Sequence, residues 1–272
     1  MNTYFINLAQ ATGRRAFLER NFREFASPAQ RLFRVEAVGI PELAGRGLAG
    51  SIRPSEIACL MSHRRAIAAS LEDNDHSLIV EDDALFGPST FLSLPALGAL
   101  QDESVDLVFL SGLIGDMGAM LTQILMRRTL LERRQLSMMD VSKMSISGAD
   151  AYIVKRSAKP RLLGLLDALA SFDLPYDLQL RSWIHAGRLK AVLVFPTLTS
   201  LSPLADESGN GNANPTWHAL NAFRRLLAVD SDHYPGDIVK AVDAIDPSFY
   251  DDEATRLAKV LRVLLSRNFV VG

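Results

Sequence analysis

Through Leu110 the chain alternates short apolar runs with stretches of helical spacing, and few folds accept that order. Tyr4 to Leu8, Leu32 to Val38, Ser77 to Val80 and Asp106 to Leu110 have the length and content of buried strands. Between the first two, Phe17, Leu18, Phe22 and Phe25 fall at helical spacing, and Ala26-Ser27-Pro28 stops the helix. Another helix opens at Pro54, which suits a first turn, with Glu56 near its positive end. Ile57, Leu60, Met61, Ile67 and Leu71 form its expected buried face. Strand and helix in alternation predict a parallel α/β sheet with helices on its faces. Gly39 to Gly50, glycine-rich and containing Pro41, is expected to be a mobile loop.

Further on, Asp116 to Met139 has the Met- and Leu-rich character of one helix. Ala151 to Val154 is an expected strand, and Ser157 is placed to cap a helix running to Ser171. Leu174 to Asp177 turns into a helix that Gly187 stops, and a strand from Ala191 to Phe195 ends at Pro196. Asp206 to Pro215 has the composition of a flexible linker, with helical sequence after about residue 216. The expected organisation is an α/β domain over residues 1–212 and a helical C-terminal extension, 213–272, packed on it. A chain of 272 residues, about half of them apolar, can bury a core of that size.

The net charge of −2 gives no signal for nucleic acid. Cys59 is the only cysteine, so an internal disulfide and a cysteine-built metal site are excluded. No apolar run approaches the ~20 residues of a membrane span, and Met1 leads straight into Tyr4-Phe5-Ile6 without a basic start. The expectation is a bacterial cytoplasmic protein, at most peripheral to the inner membrane.

The run Glu81-Asp82-Asp83 follows an apolar strand directly. Strand alternation sends Glu81 and Asp83 to one side and Asp82 to the other. The crevice beyond the carboxyl strand ends is where open α/β sheets bind ligands. Carboxylates this close raise one another's pKa unless a cation neutralises them, and oxygen ligands suit magnesium or manganese. Such a cation bridges a diphosphate and stabilises charge on a departing nucleotide. Taken alone, the triplet reads more readily as a solvated acidic turn that caps the next helix than as a site.

Its neighbours favour a site. Ile6-Asn7-Leu8, Arg14-Arg15, Glu56-Ile57-Ala58-Cys59-Leu60-Met61-Ser62-His63, Glu81-Asp82-Asp83, Gly148 to Tyr152 and Pro175-Tyr176-Asp177 occur in an order that resembles glycosyltransferase family 25. These are lipooligosaccharide-type enzymes related to collagen galactosyltransferases, and the resemblance spans roughly residues 3 to 210. Ser55 and Ala58 stand where the family has glycine, and the helix of 116–139 lies outside its pattern. The resemblance implies a GT-A-like, Rossmann-type mixed sheet flanked by helices, a nucleotide-sugar donor, a saccharide or lipid-linked glycan acceptor and a divalent cation. It implies that Asn7 and Arg15 hold the nucleotide and that Glu56 and His63 line the donor side. Asp83 becomes the metal ligand, with Glu81 and Asp82 in support. Asp177 becomes the base that deprotonates the acceptor, with Glu207 as rival. His63 as a buried core histidine, Asp177 as a helix cap and one of the two arginines as a surface charge stay open.

Two other functions compete: a metal-dependent nucleotidyl- or phosphotransferase, and an inactive relative that only binds. The sequence offers no Walker loop and no Gly-x-Ser-x-Gly. Arg127, Arg128, Arg133 and Arg134, and the C-terminal Arg256, Lys259, Arg262 and Arg267, allow weak membrane contact. The favoured alternative is a packed helix with a solvated basic face.

Overall fold

A computed structural model describes residues 1–45, 47–207, 215–231 and 252–264. In chain order its strands are β1 (Asn2–Asn7), β2 (Leu32–Glu36), β3 (Ser77–Glu81), β4 (Ala84–Phe86), β5 (Leu107–Phe109), β6 (Leu113–Ile114), β7 (Ser137–Asp140), β8 (Ile146–Ser147), β9 (Ala151–Val154), β10 (Ala191–Phe195) and β11 (Thr199–Leu201). The helices are α1 (Thr12–Phe25), α2 (Ile40–Leu43), α3 (Pro54–Ala69), α4 (Pro88–Ser93), α5 (Gly98–Gln101), α6 (Met117–Glu132), α7 (Lys159–Asp167), α8 (Tyr176–His185), α9 (Pro215–Leu227) and α10 (Asp252–Leu264).

Seven strands form one mixed sheet in the order β2-β1-β3-β9-β5-β10-β7. The first three run parallel, as the alternation predicts. β9 then enters antiparallel between β3 and β5, and β7 pairs antiparallel with the outer side of β10. Because β9 runs against its neighbours, its first residue meets the last residues of β1, β3 and β5 at one sheet edge. Loops at that edge therefore come from both strand directions.

Period-two alternation sorts the core onto two faces. Tyr4 and Ile6 of β1, Ile79 of β3 and Tyr152 and Val154 of β9 face Leu60 and Ile67 of α3, Leu162 of α7 and Leu180 and Trp183 of α8. Phe5, Leu78, Val80, Ala151 and Ile153 face Leu18 and Phe22 of α1 and Phe91 of α4. The same parity puts Glu81, two residues after Ile79, on the α3–α8 face.

Several local expectations need correction. The stretch 116–139 is not one helix. Asp116 caps α6 through the Ala119 amide at 2.8 Å, but Arg134 takes a left-handed φ of 52° and Ser137–Asp140 becomes β7. A short apolar run such as Leu136 to Met139 suits helix or strand, and here pairing with β10 decides. Ser157 does not cap α7, which begins at Lys159 without a side-chain cap. Leu71 lies beyond the end of α3 and is exposed, while Ala58, Ser62, His63 and Ala66 take buried places on that helix. The loop from Gly39 contains α2, and Gly50 bridges to Phe172.

The boundary expected near residue 212 lies outside the described residues, as do 232–251 and 265–272 of the expected helical extension. Within it, α9 packs against β11 and α6. Leu257 and Val260 of α10 are exposed. Arg127 does not face solvent alone, for its guanidinium donates to the Ala228 carbonyl beyond α9. No described helix is long and apolar enough to cross a membrane.

Candidate functional site

At the shared strand edge lies an open cleft of about 400 Å³. Its floor is the end of β3, its walls are α3, α8 and the turn before β9, and α9 crosses above. Glu56, Glu81, Asp83, Asp150, Asp177 and Asp206 line it, against the guanidinium groups of Arg53 and Arg224. The excess of negative charge suits a cation far better than a bare anion.

Parity and turn geometry divide the acidic triplet. Glu81 and Asp83 open on the cleft, whereas Asp82 turns away and accepts from the Asn7 amide at 2.7 Å. Arg14 binds both aspartates, Nη1 to Asp82 and Nη2 to Asp83, each at 2.8 Å. Arg15 instead pairs with Glu19 on the exposed side of α1. The structure thus brings Glu56, His63, Glu81, Asp83 and Asp177 to the cleft and leaves Asn7, Arg15 and Asp82 outside its lining. Asn7, whose side-chain Oδ1 accepts from Arg34 Nε at 3.1 Å, braces the triplet from behind. Glu207 ends a short 3-10 turn, and its side chain lies outside the described residues.

His63 is 1% exposed and stacks on Tyr176 at 4.0 Å between ring centroids. Burial lowers its pKa to about 3, so the ring is neutral. Its Nδ1 lies 3.1 Å from the Tyr152 hydroxyl and its Nε2 lies 3.3 Å from Glu81 Oε1. Tyr152 in turn meets the Tyr176 hydroxyl at 2.8 Å. An ionised Glu81 can only accept, which assigns the ring proton to Nε2 and directs the tyrosine hydroxyls toward Nδ1. The helix histidine is therefore both a core residue and the support of a cleft carboxylate.

Burial first, and then the charges of Asp150 and Asp82, push the Glu81 pKa up to about 7. Asp83 rises to about 7 through burial and then Glu81. Cys59, beside them, is pushed up by burial and is an inert thiol. Glu56 is held down by its hydrogen bond from Arg53, and it also accepts the Arg53 amide at 2.9 Å, fixing the start of α3.

Two residues of the cleft lining escaped sequence reasoning. Asp150, 4% exposed, sits one residue before β9, and its carbonyl accepts the Glu81 amide at 2.8 Å. Arg224 of α9 pairs with the Asp150 carboxylate and donates to Ser111 Oγ at 3.1 Å. Asp150 lay inside the Gly148–Tyr152 motif, where an acid in a turn carried the only signal. Arg224 had none, because its sequence neighbours are far from the acidic run. Asp177 occupies the first turn of α8 and accepts the Gly148 amide at 2.8 Å. Gly148 has a φ of 84°, a conformation that glycine adopts without strain. Asp83 Oδ1, Asp150 Oδ2, Arg14 Nε and Arg224 Nε are buried with no hydrogen-bond partner.

A family model described as Glycosyltransferase family 25 (LPS biosynthesis protein) matches residues 1–180. No curated protein matches the chain.

Proposed function

The chain belongs to glycosyltransferase family 25 and is a glycosyltransferase; from that premise we propose that it moves a hexose, galactose or glucose, from a nucleotide-diphosphate sugar to a saccharide in lipopolysaccharide or other surface-glycan synthesis. The donor is held in the acidic cleft with a divalent cation, manganese or magnesium, in a GT-A-like arrangement.

The supporting observation is the pair of orphaned carboxylate oxygens. Asp83 Oδ1 and Asp150 Oδ2 are buried beside Glu81 without a partner. An unpaired buried acceptor costs about 1–3 kcal/mol, so it persists where a ligand supplies the missing contact. Asp83 and Asp150 offer hard oxygen, which fits manganese or magnesium, although Cys59, His63 and Glu81 also bring ligand atoms within 4.8 Å of one another. Asp83 and Asp150 would hold the ion, with Glu81 behind them. When bound, the ion neutralises the diphosphate and the charge that gathers on the leaving nucleotide.

The chain's own groups do the rest. Arg14 keeps Asp83 aimed into the cleft, and neutral His63 fixes Glu81 by its Nε2–H. Asp177, across the cleft and oriented by Gly148, accepts the proton of the acceptor hydroxyl in an inverting transfer. Tyr176 and Leu178 border the same wall. The test is release of free nucleotide from a panel of nucleotide sugars in the presence of manganese. Cation-dependent release from one or two donors supports the reading, and no release from any member of the panel counts against it.

A further inference from the structure

The unexplained feature of the cleft is the buried ion pair between Arg224 and Asp150. Arg224 spends Nη2 on Asp150 Oδ1 and on Ser111 Oγ. Its side chain is only 10% exposed, yet its Nε–H has no acceptor. On the other half of the pair, Asp150 Oδ2 also lacks a partner. Each half is thus incompletely satisfied, and with opposite needs: one carboxylate oxygen has room for a cation, and one guanidinium N–H has room for an anionic acceptor. A cation–diphosphate pair supplies both.

We infer that Arg224 is a diphosphate ligand of the donor, parked on Asp150 until a divalent cation takes its place there. This rests on the cation-dependent donor site proposed above. In the metal-free cleft Arg224 stands in for the ion and neutralises Asp150. Once the ion engages Asp150 and Asp83, the guanidinium turns its fork to the phosphate oxygens, a geometry that planar arginine matches in bidentate fashion.

Three observations single out this residue. Arg14 has both terminal nitrogens committed to Asp82 and Asp83 and stands outside the cleft lining. Arg224 lines the cleft from α9 and meets its acid across 74 residues of sequence. Gly148 makes room for it: a Cβ there would stand 3.0 Å from Nη2. The residue also lies beyond the 1–180 that the family model matches, so this chain builds part of its donor site from its own C-terminal segment.

The test compares the unmodified protein with Arg224→Met and Arg224→Lys by titration calorimetry. Manganese alone is titrated first, then UDP and inorganic pyrophosphate at saturating manganese. Loss of a charged hydrogen-bond donor predicts about 10- to 100-fold weaker binding of both anions to Arg224→Met, with Arg224→Lys between. Manganese alone should bind Arg224→Met at least as tightly as the unmodified protein, because its competitor for Asp150 is gone. That titration also reports that the variant is folded. Unchanged anion affinity in Arg224→Met overturns the diphosphate role, and weaker manganese binding overturns the parking role, while the donor-site reading stands. No manganese-dependent binding of UDP to the unmodified protein overturns that reading instead.

Discussion

Adjacent arginines on α1 should behave as opposites. Arg14 is 26% exposed and binds two aspartates that are themselves only 9% and 14% exposed. Replacing it by methionine keeps the aliphatic stem and leaves both carboxylates uncompensated. Removing one partner of a buried ion pair costs about 3–5 kcal/mol. Two effects reduce that here: the cleft admits water, and Asp83, with a pKa near 7, can take up a proton when Arg14 is lost. The expected cost of Arg14→Met is about 2–3 kcal/mol at pH 8, and less at pH 6, where Asp83 is already protonated. Arg15 is 47% exposed and pairs with Glu19 one helical turn away. Such pairs contribute about 0.3–0.5 kcal/mol, and Arg15→Met should cost no more. Urea denaturation of the metal-free protein at pH 6 and pH 8 measures all three chains. Equal costs for the two variants, or an Arg14→Met within about 0.5 kcal/mol of the unmodified protein at pH 8, would refute the account of the triplet.

Other outcomes follow from the same geometry. Glu81 and Asp83 are raised to about 7, so at about pH 6.5 the folded protein still holds protons that the unfolded chain has lost, and it releases them by about pH 8. Metal-free stability should therefore fall as pH rises through that window, which lies above the range where the neutral His63 acts. Manganese should raise the melting temperature more at pH 8 than at pH 6, and a pH-independent shift in thermal scans would contradict this. Asp177→Asn keeps an acceptor for the Gly148 amide but cannot take a proton. It should lower kcat about 10²- to 10⁴-fold with nucleotide affinity within a factor of about two, measured by steady-state kinetics and calorimetry. Gly148→Ala, at φ 84° and beneath Arg224, should cost about 1–2 kcal/mol in urea and also weaken UDP binding.

The sequence carried most of the frame. Apolar runs and helical spacings located β1, β2, β3, α1 and α3, and the parity of β3 correctly put Glu81 and Asp83 on the cleft side with Asp82 opposite. Where local pattern was ambiguous, pairing partners far along the chain decided: Ser137–Asp140 is a strand only because β10 is beside it. The site was legible to the extent that it was local. Glu56, His63 and Asp83 sit at ends or faces of elements that periodicity can place. Arg14 and Arg15 could not be told apart, because they are adjacent, about 100° apart around α1, and the apolar spacing of the helix does not say which of them faces the acidic run. Arg224 was invisible, because its meaning comes from contact with Asp150 across the fold.

The claim at the centre is that the acidic cleft binds a nucleoside diphosphate through a divalent cation seated on Asp83. Calorimetric titration of UDP into the protein, with and without manganese, and into Asp83→Asn with manganese, tests it directly. The account predicts binding to the unmodified protein only in the presence of manganese, and loss of that binding in Asp83→Asn. Equal affinity without the cation, or an undiminished affinity in Asp83→Asn, would contradict it.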